Sequence, residues 1–332
     1  MQIQLAPMEG LVDPLLRRLL SRIGGFDHCV TEFIRVTDVT LPTRVFRRIA
    51  PELDQGWHTD SGTPVFAQLL GSNPELMGRN ACKAARLGAP VVDLNFGCPA
   101  KTVNRHRGGA VLLDEPQLLY HIVQAVRAAV PPETPVTAKM RLGYSDQSRA
   151  VECGQALEAG GASAITIHAR TKVDGYRPPA YWRSIAPVRN AVSIPVIANG
   201  EIWRVEDYYQ CREESECADV MIGRGLIARP DLALQIRQSL AGEPVTPWSW
   251  SDLAPLVCEF FDGVRAEFET RHMNGRLKQW INYLRLTYPE AEQLWQRIRK
   301  ERDPIAAAQA LRASAASAHR SNRPERPCVM TQ

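Results

Sequence analysis

One cysteine, Cys98, follows the apolar run Val91-Val92 and the stretch Asp93-Leu94-Asn95-Phe96, and sits between Gly97 and Pro99. A buried strand that stops at Asn-Phe-Gly-Cys-Pro makes a loop carrying an exposed thiol, so what that thiol faces decides its chemistry. Other reactive or polar residues end other β-rich runs: Pro7-Met8, Glu32, Gln68, Asn95, Lys139 with Arg141, His168, Asn199-Gly200 and Gly223-Arg224. A lysine in such a place can form a Schiff base or stabilise an electron-rich ring by its charge. Gln68 can meet a polar ring edge through both ends of its amide. In "IANGEI" and "MIGRG", Gly200, Gly223 and Gly225 let backbone N–H groups approach an anion, and Arg224 adds positive charge. Each glycine taken alone is also an ordinary turn residue. Their paired occurrence predicts a phosphate-bearing ligand.

These residues need a frame. The expected strands are Ile3–Ala6, Cys29–Phe33, Val65–Leu69, Val91–Asn95, Val136–Met140, Ala164–His168, Pro195–Ala198 and Asp219–Ile222. Helical patterns separate them, among them Pro14–Ile23, Asn73–Leu87, Pro116–Ala129, Ser148–Ala159 and Val205–Arg212. Several end at a glycine, which tolerates the left-handed stop of a helix. Eight strands alternating with helices over about 240 residues predict a (β/α)8 TIM barrel, whose chemistry lies at the C-terminal strand ends. A doubly wound open sheet is the rival, but no G-x-G-x-x-G follows the first strand. The barrel is expected over residues 1–242.

Beyond it, "GEPVTPWSWSDLAP" (Gly242–Pro255) has the Pro/Gly/Ser content of a linker. Only helical patterns follow: Leu253–Glu269, Gly275–Leu286, Pro289–Arg302 and Pro304–Ala315. A small all-helical domain is expected over 243–315 and a disordered polar tail over 316–332. From Arg271 to Pro289 there are Arg271, Arg276, Lys278 and Arg285 and no acidic residue, with Trp280, Tyr283 and Tyr288 interleaved. That spacing predicts a phosphate-binding face with aromatics at hand.

Composition narrows the classes. No run of eighteen apolar residues is present, so no membrane span is expected. The start "MQIQLAPMEG" lacks the flank and core of a secretion signal. None of the eight cysteines forms a C-x-x-C pair or a zinc-spaced cluster, which predicts reduced thiols, a cytoplasmic location and no metal. The net charge of +4 says little until the basic residues are placed.

Taken as a set, "APMEGLVD", "DLNFGCPAKTVNRHRGGAVLL", "KMRLGY", "ITIHART", "VIANGEI" and "VMIGRGL" resemble the tRNA-dihydrouridine synthases over about residues 5–240. "MQIQLAPMEGLVDPLLR" and "GRLKQWINYLR" are most similar to the subfamily that modifies uridine 16 of the tRNA D-loop. The resemblance implies FMN at the barrel mouth and NADPH as electron donor. Pro7, Met8 and Glu9 would lie against the ring, Gln68 and Lys139 at its polar edge, and His168 near the ribityl chain. Asn199, Gly200, Glu201, Gly223 and Arg224 would hold the phosphate end. Hydride would pass from flavin N5 to uracil C6, and Cys98 would protonate C5; a thiol near pKa 8.5 suits that task. Asn95 and Arg141 would hydrogen-bond the base, and Tyr176 would stack on it or steer it once it is turned out of the tRNA fold. Arg35, Arg276, Lys278 and Arg299 would orient the tRNA on a monomeric enzyme.

Rival readings keep the chemistry but move it to uridine 17 or 20, or give FMN a small substrate, as in dihydroorotate-type oxidoreductases. An aldolase built on Lys139 leaves Cys98 unexplained. An RNA-binding or folding factor would carry no flavin.

Overall fold

The computed structural model describes residues 1–321 and divides them into two compact units, Met1–Leu226 with Pro230–Val245, and Ile227–Arg229 with the chain from Thr246. The first unit holds nine strands: β1 (Ile3–Leu5), β2 (His28–Val30), β3 (Ile34–Arg35), β4 (Val65–Leu70), β5 (Val92–Phe96), β6 (Val136–Gly143), β7 (Ala164–Thr171), β8 (Val196–Asn199) and β9 (Asp219–Ile222). All pair in parallel. The order β2-β1-β9-β8-β7-β6-β5-β4 is closed by the β2–β4 pairing, leaving eight strands in a barrel and β3 as a short extension beside β4. The expected fold is the observed one.

Helices form between the strands where sequence supplies both cap and apolar stripe. Pro14–Ile23 starts with Asp13 accepting from the Leu16 N–H, has proline at its first position, and buries Leu15, Leu16, Leu19 and Leu20. Pro74–Arg86 repeats the device with Asn73.

Three boundaries differ from expectation. The run Cys29–Phe33 is not one strand, because the Thr31 hydroxyl accepts from the Gln68 N–H and Glu32 accepts from Gly10 N–H, diverting the chain before β3. Strands β6 and β7 run three residues past the expected ends, to Gly143 and Thr171. The stretch read as a linker to Pro255 is already helical from Trp250, started by Ser249 and Asp252, whose carboxylate takes the Ser249 N–H at 2.8 Å.

A hydrophobic cluster packs Ala6, Val30, Ile197 and Met221 against Phe66. His28, two residues before Val30 on the same face, stacks on Phe66 with centroids 4.0 Å apart and is 5% exposed. Burial pushes its imidazole down from 6.5 to about 4. An unfolded chain therefore binds a proton near pH 6.5 that the folded chain refuses until about pH 4. The His28 contribution to stability is full above pH 6.5 and falls by about 3 kcal/mol as pH drops through that window. Glu9, raised to about 7, acts in the opposite sense over the same range, so the decline should show as the difference between urea midpoints of the wild type and His28→Gln measured from pH 7 to 4.

In the second unit, helices Trp250–Glu267, Thr270–Leu284, Pro289–Ile298 and Pro304–Ser321 follow one another. Phe260 meets Trp280 edge-on at 4.8 Å, and the Trp280 N–H donates to the Ile227 carbonyl. Helix Pro304–Ser321 takes in residues 316–321, which the sequence reading assigned to a disordered tail. The rest of that stretch, with Cys328, lies outside the described residues. Among the described residues no helix is long and apolar enough to cross a membrane.

Candidate active site at the barrel mouth

Alternation along β4 to β7 sends Gln68, Asp93 and Asn95, Thr137, Lys139 and Arg141, and Thr166, His168 and Arg170 to the barrel interior. Cys98 lies just beyond β5 on a loop that is tied from several sides. Asn95 Oδ1 accepts from Gly97 N–H (3.0 Å) and Cys98 N–H (2.9 Å). Asn104 Nδ2 donates to the Cys98 and Ala100 carbonyls, both at 2.8 Å, and the Ala110 N–H also reaches the Cys98 carbonyl. Gly109 closes the loop with φ +67°, where a Cβ would stand 2.7 Å from the Cys98 carbonyl oxygen. Gly109→Ala should cost about 1–3 kcal/mol and displace the thiol, which urea unfolding together with turnover would show.

The Cys98 thiol is partly exposed, whereas Cys29, Cys153, Cys211 and Cys217 are buried. Partial burial raises its pKa above the ordinary thiol value, and the Glu9 charge adds to this; the Ala100 N–H, Arg141 and Arg35 pull the other way. The thiol is therefore protonated at neutral pH. Glu9 is itself raised to about 7, by desolvation and by the neighbouring Glu32, so the carboxyl nearest that edge of the mouth is only partly ionised.

On the opposite side, four cations surround His168. Burial and the charges of Arg141, Lys139, Arg170 and Arg224 push its imidazole well below 6.5, so it is neutral. Lys139 Nζ donates to Asn199 Oδ1 at 2.9 Å, and Asn199 Nδ2 donates to the Met221 carbonyl, tying β6, β8 and β9 together. Desolvation lowers Lys139 to about 8, still largely cationic at neutral pH. The Glu201 carboxylate bridges Arg170 and Arg224. Gly200 has φ +125°, and a Cβ there would stand 3.0 Å from the His168 ring. Across the mouth, Met8 lies beside Gly223, its sulfur 3.4 Å from where a Cβ would be.

Several residues hold their places but not their expected contacts. Gln68 has no exposed surface; its Nε2 donates to Asp93 (2.7 Å) and its Oε1 accepts from Asn95 (2.8 Å), so neither end is open to a ring edge. Arg141 is 2% exposed and holds loops through Nε and Nη1, which donate to the carbonyls of Gly97, Thr171 and Gly175. Asn95 likewise spends its oxygen on the Cys98 loop. Glu201 serves the two arginines. Tyr176, by contrast, is 54% exposed, its ring held between Arg141 (5.2 Å) and Arg224 (5.1 Å). Arg35 is exposed, and its charge reaches Cys98.

In the second unit, Trp280 and Tyr288 are core residues at 1% and 5% exposure, which removes them from the expected aromatic surface. Lys278 Nζ donates to the Glu301 carbonyl at 2.6 Å, Arg276 meets Gln279, and Arg299 is exposed at the end of Pro289–Ile298.

Arg170 was missed at the sequence level. It is fully buried, anchors the Arg177 and Pro179 carbonyls through Nε, and pairs with Glu201 at 2.9 Å. Among the described residues neither its Nη1 nor its Nη2 has a hydrogen-bond partner, the Glu201 contact of Nη2 being an ion pair. The signal was present in "HAR", because a residue two beyond His168 faces the same side if the strand continues.

The model of the dihydrouridine synthase family (Dus) matches residues 4–319. The tRNA-dihydrouridine(16) synthase of Pseudomonas putida is 55% identical over 303 residues, covering 91% of this chain and 94% of the relative. That of Neisseria meningitidis serogroup B is 46% identical, covering 91% of each. Among solved structures, 2-naphthoyl-CoA reductase in complex with 2-naphthoyl-CoA aligns with a TM-score of 0.55 at 11% identity, over 73% of this chain and 50% of that one. TcOYE with pHBA aligns at 0.51 and 14%, over 74% and 90%. Those two likenesses show the fold alone. The family match and the curated relatives, each extending through both units, show that the chain belongs to the dihydrouridine synthase family.

Proposed function

We propose that this enzyme reduces uridine 16 of the tRNA D-loop to 5,6-dihydrouridine, with FMN at the barrel mouth, NADPH as electron donor and Cys98 as the proton source for C5. Reduction of uridine in tRNA and the use of a flavin follow from the family. Position 16 rests on the names of the relatives. The observation that carries the catalytic reading is Cys98: a protonated, partly exposed thiol on a braced loop at the barrel mouth.

The residues fit a phosphate-bearing cofactor. Among the described residues a buried Arg170 N–H lacks a partner, within a cluster of four cations of which two share a single carboxylate. An anion there would satisfy both deficits. Arg170 and Arg224 would hold the phosphate with the backbone of Asn199, Gly200 and Gly223. Pro7 and Met8 would line one wall, and Lys139 would favour negative charge on the reduced ring. FMN, when bound, would supply the hydride for C6.

The protein supplies the rest. Negative charge spreading to C5 and O4 of uracil is quenched when Cys98 Sγ gives its proton to C5, leaving a thiolate that Arg141 and Arg35 stabilise by charge. The exposed ring of Tyr176, held by two guanidinium groups, offers a stacking surface for an extruded base. Arg35, Arg276, Lys278 and Arg299 would meet tRNA phosphates, giving residues 1–242 a catalytic role and 243–315 a tRNA-binding one, in a cytoplasmic monomer.

Site-mapped dihydrouridine in unmodified tRNA, after incubation with purified protein, FMN and NADPH, tests this. Product at position 16 supports the whole reading. Product at 17 or 20 keeps the chemistry and overturns the tRNA orientation. Absence of product from a flavin-loaded, NADPH-reducible protein would favour a small substrate.

A further inference from the structure

The Cys98 loop is held by Asn95, and Asn95 is the last link of a buried chain that starts at Asp93. Asp93 is 4% exposed, and its carboxylate accepts from Gln68 Nε2 (2.7 Å) and Thr137 Oγ1 (2.6 Å). Gln68 Oε1 accepts from Asn95 Nδ2 (2.8 Å). Asn95 Oδ1 then accepts from the Gly97 and Cys98 N–H groups.

The polarity of this chain is forced from both ends. An ionised carboxylate can only accept, so the Gln68 nitrogen must face Asp93 and its oxygen must face Asn95. At the other end two backbone N–H groups can only donate, so the Asn95 oxygen must face the loop. Turning both amides over would set Asn95 Nδ2 against two donors and open the loop. Burial raises the Asp93 pKa, against the bonds from Thr137 and Gln68. A proton on Oδ1 would leave Oδ2 accepting from Gln68, so the polarity survives either charge state.

We propose that Asp93 is a positioning residue for the Cys98 thiol, acting through the amide orientations of Gln68 and Asn95. This rests on the general-acid reading of Cys98 for its effect on turnover, but not for its effect on the thiol's placement. Asp93 touches neither the loop nor the thiol; from the far end of the chain it holds two amides in the one orientation that suits the loop N–H groups.

Asp93→Asn tests it, because the new side chain has the same shape yet offers an N–H2 as well as an oxygen, so the constraint from this end is lifted and only the two loop N–H groups still hold the polarity. Two quantities are read: turnover of uridine in tRNA, and the rate of Cys98 alkylation by iodoacetamide, counted at that cysteine by mass spectrometry. Asp93→Asn should lower turnover about tenfold, as a small misplacement of a reacting group does, with KM for tRNA unchanged, and should change the alkylation rate severalfold. In an Asn95→Ala background the same substitution should change neither, since the chain is already cut. An equal loss in both backgrounds, or no change in either quantity, would overturn the proposal. If Asp93→Asn fails to fold, Gln68→Met cuts the chain one link further on and should show the same non-additivity in alkylation. Cys98→Ala assayed alongside keeps the two ideas apart: full turnover there would remove the general-acid role, while the alkylation series would still judge the positioning.

Discussion

Cys98→Ala is expected to lower uridine reduction by about 10²- to 10⁴-fold, the usual contribution of a placed general acid, while flavin and tRNA affinities stay as they are. The loop explains why the loss should be confined to chemistry. Its braces run through the Gly97 and Cys98 N–H groups and the Cys98 carbonyl, and the sulfur takes only the Ala100 N–H. Alanine therefore keeps those braces and removes the thiol with that one contact. Flavin reduction by NADPH, followed by its absorbance, should be unaffected, and single-turnover formation of dihydrouridine should carry the whole deficit. Full activity would assign the proton to another donor. The pH profile gives a second check. Since burial raises the thiol pKa, turnover should hold through the ordinary thiol range and fall only above it, and that alkaline limb should vanish in the alanine variant.

Arg170→Met is expected to destabilise the barrel unit by about 3–5 kcal/mol, the usual result of removing one member of a buried ion pair, and to weaken FMN binding by about tenfold or more. Three losses coincide. The carbonyls of Arg177 and Pro179 lose their donor, Glu201 keeps Arg224 as its partner but loses Arg170, and the unpartnered Nη1 disappears from the pocket. The first two act on folding and the third on the ligand, so the readouts separate. Urea unfolding of the flavin-free protein reports the first pair, and quenching of FMN fluorescence on titration reports the last. Arg170→Lys should recover part of the affinity through its charge but less of the stability, because an ammonium lacks the planar fork that reaches two carbonyls and a carboxylate. A large stability loss with unchanged FMN affinity would make Arg170 purely structural and would remove the argument that the orphaned N–H awaits an anion.

The alternation of apolar runs with capped helices determined the barrel, because burial on both faces and the caps at Asp13 and Asn73 are local properties of the chain. The same local reading placed Cys98, Lys139, His168, Asn199 and Arg224 at strand ends, and the structure brings them to one mouth. What each side chain does there was decided elsewhere. Gln68 and Arg141 have the types of ligand-binding residues, yet their hydrogen bonds go to Asp93 and Asn95, and to three carbonyls from other loops, partners 25 to 44 residues away. Arg170 escaped notice because β7 continues past His168, and that continuation depends on pairing with β6 rather than on any local signal. Trp280 sits within a basic stretch of sequence, but a large apolar ring gains more from burial against Phe260 than from solvent. Local patterning sets which residues arrive at the mouth. Competition among them for a limited number of hydrogen-bond partners, possible only after folding, sets which remain free for chemistry.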